Sequence, residues 1–535
     1  MELRTKKLRT VILTIAGLLT GASLFAVPVS AASAETGGNC RELDRPMVPG
    51  AAVTSMTTEQ KAADSLSKVP AHCEATLHLT HQGTGDDVTV VVWLPSEGWN
   101  GRFQGTGGGG YSAGFLLGAF TSYLTLGTTV QTLPGAVQQK YAAAATDAGV
   151  GFNPLTPAPW ALKSDGTVNK ELLTNFASRS VHDMTVAAKQ IVASFYGKAP
   201  AYSYWNGCSN GGRQGLTAAQ RYPTDYDGIL ASAPAINWDR FAPSELWPQV
   251  VMNQAKHFPS SCVFKAFNDA ALTACDKNDG VADDIIDQPN RCDFDPRSLI
   301  GTKVNCDFQQ KTITAADSDV VRRIWAGPTS TDEGKPYWYG LPKGADFNVL
   351  AGGSPISVVA DWAKYFLKKD PSFDTSTITP AELAGLVQQS QAEYNSIISG
   401  DNPDLTAFKN AGGKMVTWHG QADPLIFPQG TVDYYQRVQT AMGGAQNTDS
   451  FYRLFMAPGV GHCGLLGAGG PVPDDGMAAV VNWVEKGRAP ATLPASITDD
   501  KTHTTTTRNL CPYPQTARYN GQGDPRSADN YHCAA

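Results

Sequence analysis

Residues 201–216 read AYSYWNGCSNGGRQGL, and this stretch constrains the fold more than any other. AYSYW is a short aromatic and apolar run of the kind that forms a buried strand. RQGLTAAQRY, after the turn, carries helix formers at helical spacing. Between them Gly207-Cys208-Ser209-Asn210-Gly211 fits G-x-S-x-G, a pattern that presents a serine on a strained turn between strand and helix. The glycines have a steric reason, because side chains beside the serine would collide with the adjoining elements. Ser209 holds the central position and Cys208 does not.

A serine nucleophile needs a base, and the base needs a group that orients it. On this type of turn the partners follow in the order Ser, Asp or Glu, His. GGKMVTWHGQADPLIFP supplies a strand, Lys414 to Trp418, and then a loop carrying Asp423. YRLFMAPGVGHCGLLG supplies a strand, Arg453 to Met456, and then a glycine-rich loop carrying His462. Both candidates stand just past the C-terminal end of a strand, where α/β sheets place their chemistry. His419, the rival base, precedes the Asp423 loop and reads as a supporting residue. Asp433 and Asp474 read as surface carboxylates.

The expected fold is therefore an α/β-hydrolase fold with a large inserted lid domain. Ser209 and Asp423 lie more than 200 positions apart, far more than two neighbouring strands require. Residues 237–410 are expected to form the lid, with 35–236 and 411–535 as the catalytic domain. Acyl transfer also needs donors aimed at the developing oxyanion, each worth about 2.7–4 kcal/mol. In this fold they are the N–H after the nucleophile, here Asn210, and one from an early glycine-rich loop. VTVVVWLP alternates like a strand and QGTGGGGY then frees the backbone, which makes Gly108 or Gly109 the second donor.

The chain opens with a basic segment, Met1 to Thr10, an apolar run from Val11 to about Val27, and small residues at Ala32 and Ala34. That is the layout of a secretory signal peptide over residues 1–34. No later stretch approaches the roughly 20 apolar residues that span a bilayer, so a secreted, soluble mature protein is expected. A net charge of −7 without a basic cluster argues against nucleic acid as a partner. Ten cysteines in an exported chain read as disulfides. Neighbourhood suggests Cys40 with Cys73 and Cys511 with Cys533, while the pairing of Cys262, Cys275, Cys292 and Cys306 stays open. Cys208 and Cys463 flank Ser209 and His462. If those two are within hydrogen-bond reach, their neighbours' Cα atoms can fall in the roughly 4.4–6.8 Å window of a disulfide. Such a bond would hold nucleophile and base in register, which makes Cys208 a staple and Ser209 the nucleophile.

The inserted segment contains CDKNDGVADDIIDQPNRC, whose Asp276, Asp279 and Asp283, with Gly280 permitting a tight turn, suit a hard cation. The spacing is not that of an EF-hand. The same segment is rich in aromatics, which are more often core than pocket. Trp362 is the choice for one wall of a substrate pocket, and Ile426 for the other.

C-S-x-G-G-R-Q-G around Ser209, G-x-x-D-P around Asp423 and G-H-C around His462 resemble the motifs of the tannase and feruloyl esterase family. LPSEGWNGRFQGTGGGGYSAG, HDMTVAAKQIVASFYG and YPQTARYNGQGDPRSADNYHC are similar to its segments too, so the resemblance covers nearly the whole mature chain. It departs at Val150, where many members have His, and at Asn210, where Thr or Glu is usual. The resemblance implies the Cys208–Cys463 disulfide and a structural Ca2+ held by Asp276, Asp279 and Asp283 with the carbonyls of Val281 and Ile285. No organic cofactor is implied. It further implies two-step hydrolysis of aromatic-acid esters, feruloyl or galloyl, borne on a small alcohol, a plant polysaccharide or a polyphenol. A monohydroxyethyl terephthalate hydrolase is the narrower alternative. A secreted serine peptidase and a non-catalytic hydrolase-like binding module are the alternatives from other classes.

Overall fold

Runs of small and branched apolar residues build a nine-stranded sheet in the computed structural model, which describes residues 37–114, 132–151, 153–306, 309–331, 334–465 and 469–535. The signal segment expected at 1–34 lies outside the described residues. The sheet strands before the insertion are β1 (Ala51–Lys61), β2 (His72–His81), β3 (Val88–Pro95), β4 (Arg102–Thr106), β5 (Ala142–Thr146), β6 (Tyr202–Cys208) and β7 (Gly228–Ser232). A separate hairpin, β8 (Lys303–Cys306) and β9 (Gln309–Thr312), lies inside the insertion. The sheet is completed by β10 (Lys414–Gly420) and β11 (Tyr452–Ala457), in the order β1-β2-β3-β5-β4-β6-β7-β10-β11.

The first strands pair antiparallel, and from β5 onward the pairing is parallel. The parallel strands are buried on both faces, and β5 is the wholly buried run AAAAT. Alternation then sorts residues between the faces. Val90, Val92, Ala142 and Ala144 pack with α1 (Ser180–Tyr196) and α2 (Asn210–Arg221). Val91, Ala143, Ala145 and Trp418 pack on the opposite face.

Between β7 and β10 the described residues add no strand to this sheet. It runs through α3 (Trp238–Ser244), α4 (Trp247–Ala255), α5 (Ser261–Cys275), α6 (Ala315–Ala326) and α7 (Pro380–Ile398). After β10 come α8 (Pro428–Ala441) and α9 (Gly476–Lys486), the latter packing on the Val91 face. The core of the inserted segment is continuous with Tyr111, Trp160 and Phe176, and residues 35–535 form one compact unit.

All ten cysteines are paired. The bonds are Cys40–Cys73, Cys208–Cys463, Cys262–Cys306, Cys275–Cys292 and Cys511–Cys533, which settles the four central cysteines. Trp362 is not where the sequence reading put it. It is 0% exposed, stacked on Phe366 at 4.4 Å, and its indole N–H donates to Ser390 Oγ at 2.9 Å. A side chain with no accessible surface cannot line a pocket, so Trp362 is core. Among the described residues no helix is long and apolar enough to cross a membrane.

Candidate active site

β6 ends at Cys208 and α2 begins at Asn210, so Ser209 alone makes the turn, at φ 62° and ψ −124°. A non-glycine residue held there costs of order 1–3 kcal/mol, which the surroundings must over-determine. They do so through the Ser209 backbone, whose N–H donates to Ser232 O while its carbonyl accepts from Arg213 and Ala235, each at 3.0 Å. Gly207 is required, because a Cβ there would lie 2.5 Å from the Gly211 backbone. The N–H of Asn210 opens a helix and has no partner within it.

The disulfide from Cys208 to Cys463, with Cα atoms 6.1 Å apart, fastens this turn to the loop that carries His462. His462 is buried, and its Nδ1–H donates to Asp423 Oδ2 at 2.7 Å. With Nδ1 turned to the carboxylate, Nε2 is the ring nitrogen left for a second partner. Asp423 Oδ1 accepts the N–H groups of Leu425 and Ile426, both at 2.8 Å. Its Oδ2 also accepts from His419 Nε2 at 3.1 Å. Burial alone would raise the Asp423 carboxyl, but the charges and hydrogen bonds of His462 and His419 hold it well below the usual carboxylate range.

His419 is 0% exposed and cannot reach a substrate. Its Nε2 faces two acceptors, Asp423 Oδ2 and the Ile426 carbonyl, so that nitrogen carries the proton. Its Nδ1 then accepts from Thr431 Oγ1 at 2.8 Å. His419 is thus a positioning residue for Asp423. Ile426, expected in the pocket, serves the same carboxylate through its backbone, and its side chain is buried.

The early glycine loop corrects one expectation. The Gly108 N–H donates to Gln214 Oε1 at 3.1 Å, so it is already committed and cannot face an oxyanion. Gly109 N–H makes no such bond among the described residues. Two residues that sequence reasoning did not single out, Arg213 and Gln214, hold this loop in place. Gln214 Nε2 donates to Ala113 O, and Arg213 donates twice to Asn210 Oδ1, whose amide donates to Ser112 O. Their sequence signal is their place in the C-S-x-G-G-R-Q-G motif, which gives no role to either side chain.

Glu245, at the end of α3, was also missed. It is buried, its Oε1 has no hydrogen-bond partner, and burial followed by the charge of Asp423 pushes its carboxyl well above the ordinary value.

In the loop closed by Cys275–Cys292, Asp276 Oδ1 accepts from Asp283 N and Ile285 N, and Asp279 Oδ1 accepts from Val281 N. Asp283 Oδ2 pairs with Arg508 at 2.7 Å, while its Oδ1 is buried without a partner. Asp287 joins them, pushed up to about 6 by burial and by Asp279. Among the described residues no three His, Cys, Asp or Glu side chains converge closely enough to hold a metal by themselves. The orphan oxygen and the clustered, mutually repelling carboxyls nevertheless fit a hard cation completed by carbonyl ligands.

A family model described as tannase and feruloyl esterase matches residues 73–364 and 355–534. A protein named probable feruloyl esterase from Arthroderma benhamiae is 46% identical over 543 residues, covering 97% of this chain and 98% of that one. A protein named mono(2-hydroxyethyl) terephthalate hydrolase from Piscinibacter sakaiensis is 32% identical, over 89% of this chain and 86% of its own. The solved structure of a tannin acyl hydrolase from Aspergillus niger superposes with a TM-score of 0.79 at 27% identity, covering 92% of this chain and 95% of that one.

Proposed function

The chain belongs to the tannase and feruloyl esterase family and is a carboxylic ester hydrolase, and from that premise we propose that it cleaves feruloyl or galloyl esters through Ser209, His462 and Asp423. The observation that carries this reading is the Asp423–His462 pair fastened by a disulfide beside the strained serine turn. His462 Nε2 takes the Ser209 proton as Oγ attacks the ester carbonyl. The N–H groups of Asn210 and Gly109 receive the oxyanion. The alcohol leaves with the proton from His462, and water repeats the cycle on the acyl-enzyme. The higher identity to the probable feruloyl esterase favours hydroxycinnamoyl acids over terephthalate monoesters.

Two further assignments belong to this reading. Asp276, Asp279 and Asp283, with the Val281 and Ile285 carbonyls, would hold a Ca2+ that neutralises the loop and takes no part in the reaction. Five disulfides and the basic, then apolar, N-terminal segment support secretion. The test is a rate comparison on methyl ferulate, methyl gallate and mono(2-hydroxyethyl) terephthalate, with Ser209→Ala as the blank. The expected result is turnover of at least one of the first two esters, with a loss in Ser209→Ala of about 10⁴-fold or more. Hydrolysis that survives the substitution would refute Ser209 as nucleophile.

A further inference from the structure

Arg213, near the start of α2, is 0% exposed, and every acceptor it binds is a neutral oxygen. Its Nε and Nη2 donate to Asn210 Oδ1 at 2.9 and 2.6 Å. Nη1 donates to Ala177 O at 2.8 Å, and Nη2 also to Phe176 O at 3.3 Å. The guanidinium lies over the rings of Phe176 and Trp238, 5.3 and 5.8 Å from their centroids. Among the described residues the one charge that bears on it, Arg221, is positive as well. Burial and then Arg221 push the group down to about 9, so it remains charged at neutral pH. A buried charge without a counter-ion is costly, and aromatic faces and neutral oxygens offset only part of that cost. We infer that Arg213 is a positioning residue that fixes a positive charge behind the Asn210 N–H, where the oxyanion of the ester reaction forms.

The connections carry the charge to that place. The Asn210 side chain accepts from Arg213 and donates through Nδ2 to Ser112 O at 3.0 Å, while Ser112 N–H donates to Gly109 O at 3.0 Å. One cation therefore orders the residue after the serine and the early glycine loop together, and polarises the amide between them. Asn210 stands where Thr or Glu is usual in the family. A glutamate there would neutralise the guanidinium, whereas an amide leaves its charge uncancelled.

The timing follows from the chemistry. The ester carbonyl is neutral before attack and its oxygen carries a full charge afterwards, so a fixed cation favours the tetrahedral state over the bound ester. The charges then alternate across the site, from Asp423 to protonated His462, to the oxyanion and to Arg213. That the charge serves an oxyanion rests on Ser209 as nucleophile in the function proposed above, whereas its burial without a counter-ion does not.

The experiment measures kcat and KM on nitrophenyl acetate at pH 6 and pH 8.5 for wild type, Arg213→Gln and Arg213→Lys, each first shown to melt cooperatively. The glutamine keeps a donor for Asn210 without the charge. Its kcat should fall by about 10- to 100-fold at both pH values, with KM within about 3-fold of wild type. A lysine buried among neutral groups loses its proton more readily than an arginine. The activity of Arg213→Lys relative to wild type should therefore be high at pH 6 and sink toward that of the glutamine variant at pH 8.5. A wild-type kcat in Arg213→Gln overturns the proposal. An equal loss in both variants at both pH values overturns it too, and assigns Arg213 to packing. Where Arg213→Gln does not fold, Arg213→Lys decides alone: a relative activity that falls with pH upholds the charge, and a flat one overturns it. A wild type that neither cleaves the ester nor is labelled at Ser209 by a fluorophosphonate refutes the nucleophile itself, and this proposal with it.

Discussion

Asp423 and Glu245 are both buried carboxyls near one another, and their surroundings push them in opposite directions. Asp423 is held low, so the stability it contributes is present above its unfolded value of about 3.9 and is lost as the pH falls. Glu245 is held high. Its contribution is complete below the unfolded value of about 4.3 and is lost as the pH rises toward its folded value. Glu245→Gln removes that second dependence. The variant should melt with wild type at pH 4 and above it at pH 8, by about 1 °C for each kcal/mol, since an unfolding entropy of about 2.1 cal/mol/K per residue is summed over the one unit 35–535. Differential scanning fluorimetry at both pH values decides this, and an identical offset at the two would show that Glu245 is not a neutral buried acid. Such residues also mark the limit of sequence reading. Ser209, Asp423 and His462 stand out because each follows a strand in a recognisable local context. Glu245 owes its shift to burial and then to Asp423, 178 positions away, and Gln214 holds Gly108 across 106 positions, relations that only the fold creates. His419, by contrast, was legible as a supporting residue because it stands 4 positions before Asp423. Trp362 failed for a related reason, since an aromatic in an apolar segment looks the same whether it faces a pocket or a core.

At the scale of elements, the loop between α5 and Cys292 was legible as an acidic turn, because its carboxyls and Gly280 are adjacent in sequence. Its disulfide was not, because four cysteines within 45 residues allow three pairings. Asp287 adds a carboxyl whose value of about 6 comes from burial first and Asp279 second, with Asp279 and Asp283 raised in the same way. In the metal-free loop the stability tied to Asp287 is complete below its unfolded value of about 3.9. It is lost as the pH climbs through about 6. A bound divalent cation favours the ionised forms and reverses the loss. The gain in Tm on adding Ca2+ to chelator-treated protein should therefore be larger at pH 7.5 than at pH 5. A gain that does not change with pH would place any bound cation away from these carboxyls, and no gain at either pH would remove the calcium assignment.

For the whole molecule, the long interval between Ser209 and Asp423 announced an insertion, but not how that insertion is joined to the rest. The joining is apolar. Trp362 meets Trp238 edge-on at 6.1 Å, and Trp238 meets Tyr111 at 5.6 Å, next to the glycine loop. Trp160 in turn meets Phe366 at 5.7 Å. These residues come from loops and helices scattered over 256 positions, so no local pattern could reveal that they share one core. A core shared in this way has a thermodynamic consequence, because neither part can lose its packing while the other keeps its own. Calorimetry should give one endotherm whose calorimetric and van't Hoff enthalpies agree. Trp362→Ala sharpens the test. Removing a buried tryptophan typically costs about 3–5 kcal/mol. In a shared core that cost lowers the single transition as a whole and loosens the glycine loop through Trp238 and Tyr111, so activity should fall with stability. In an insertion that folds alone, the substitution would split the endotherm and move only one part of it, leaving the transition of the sheet where it was.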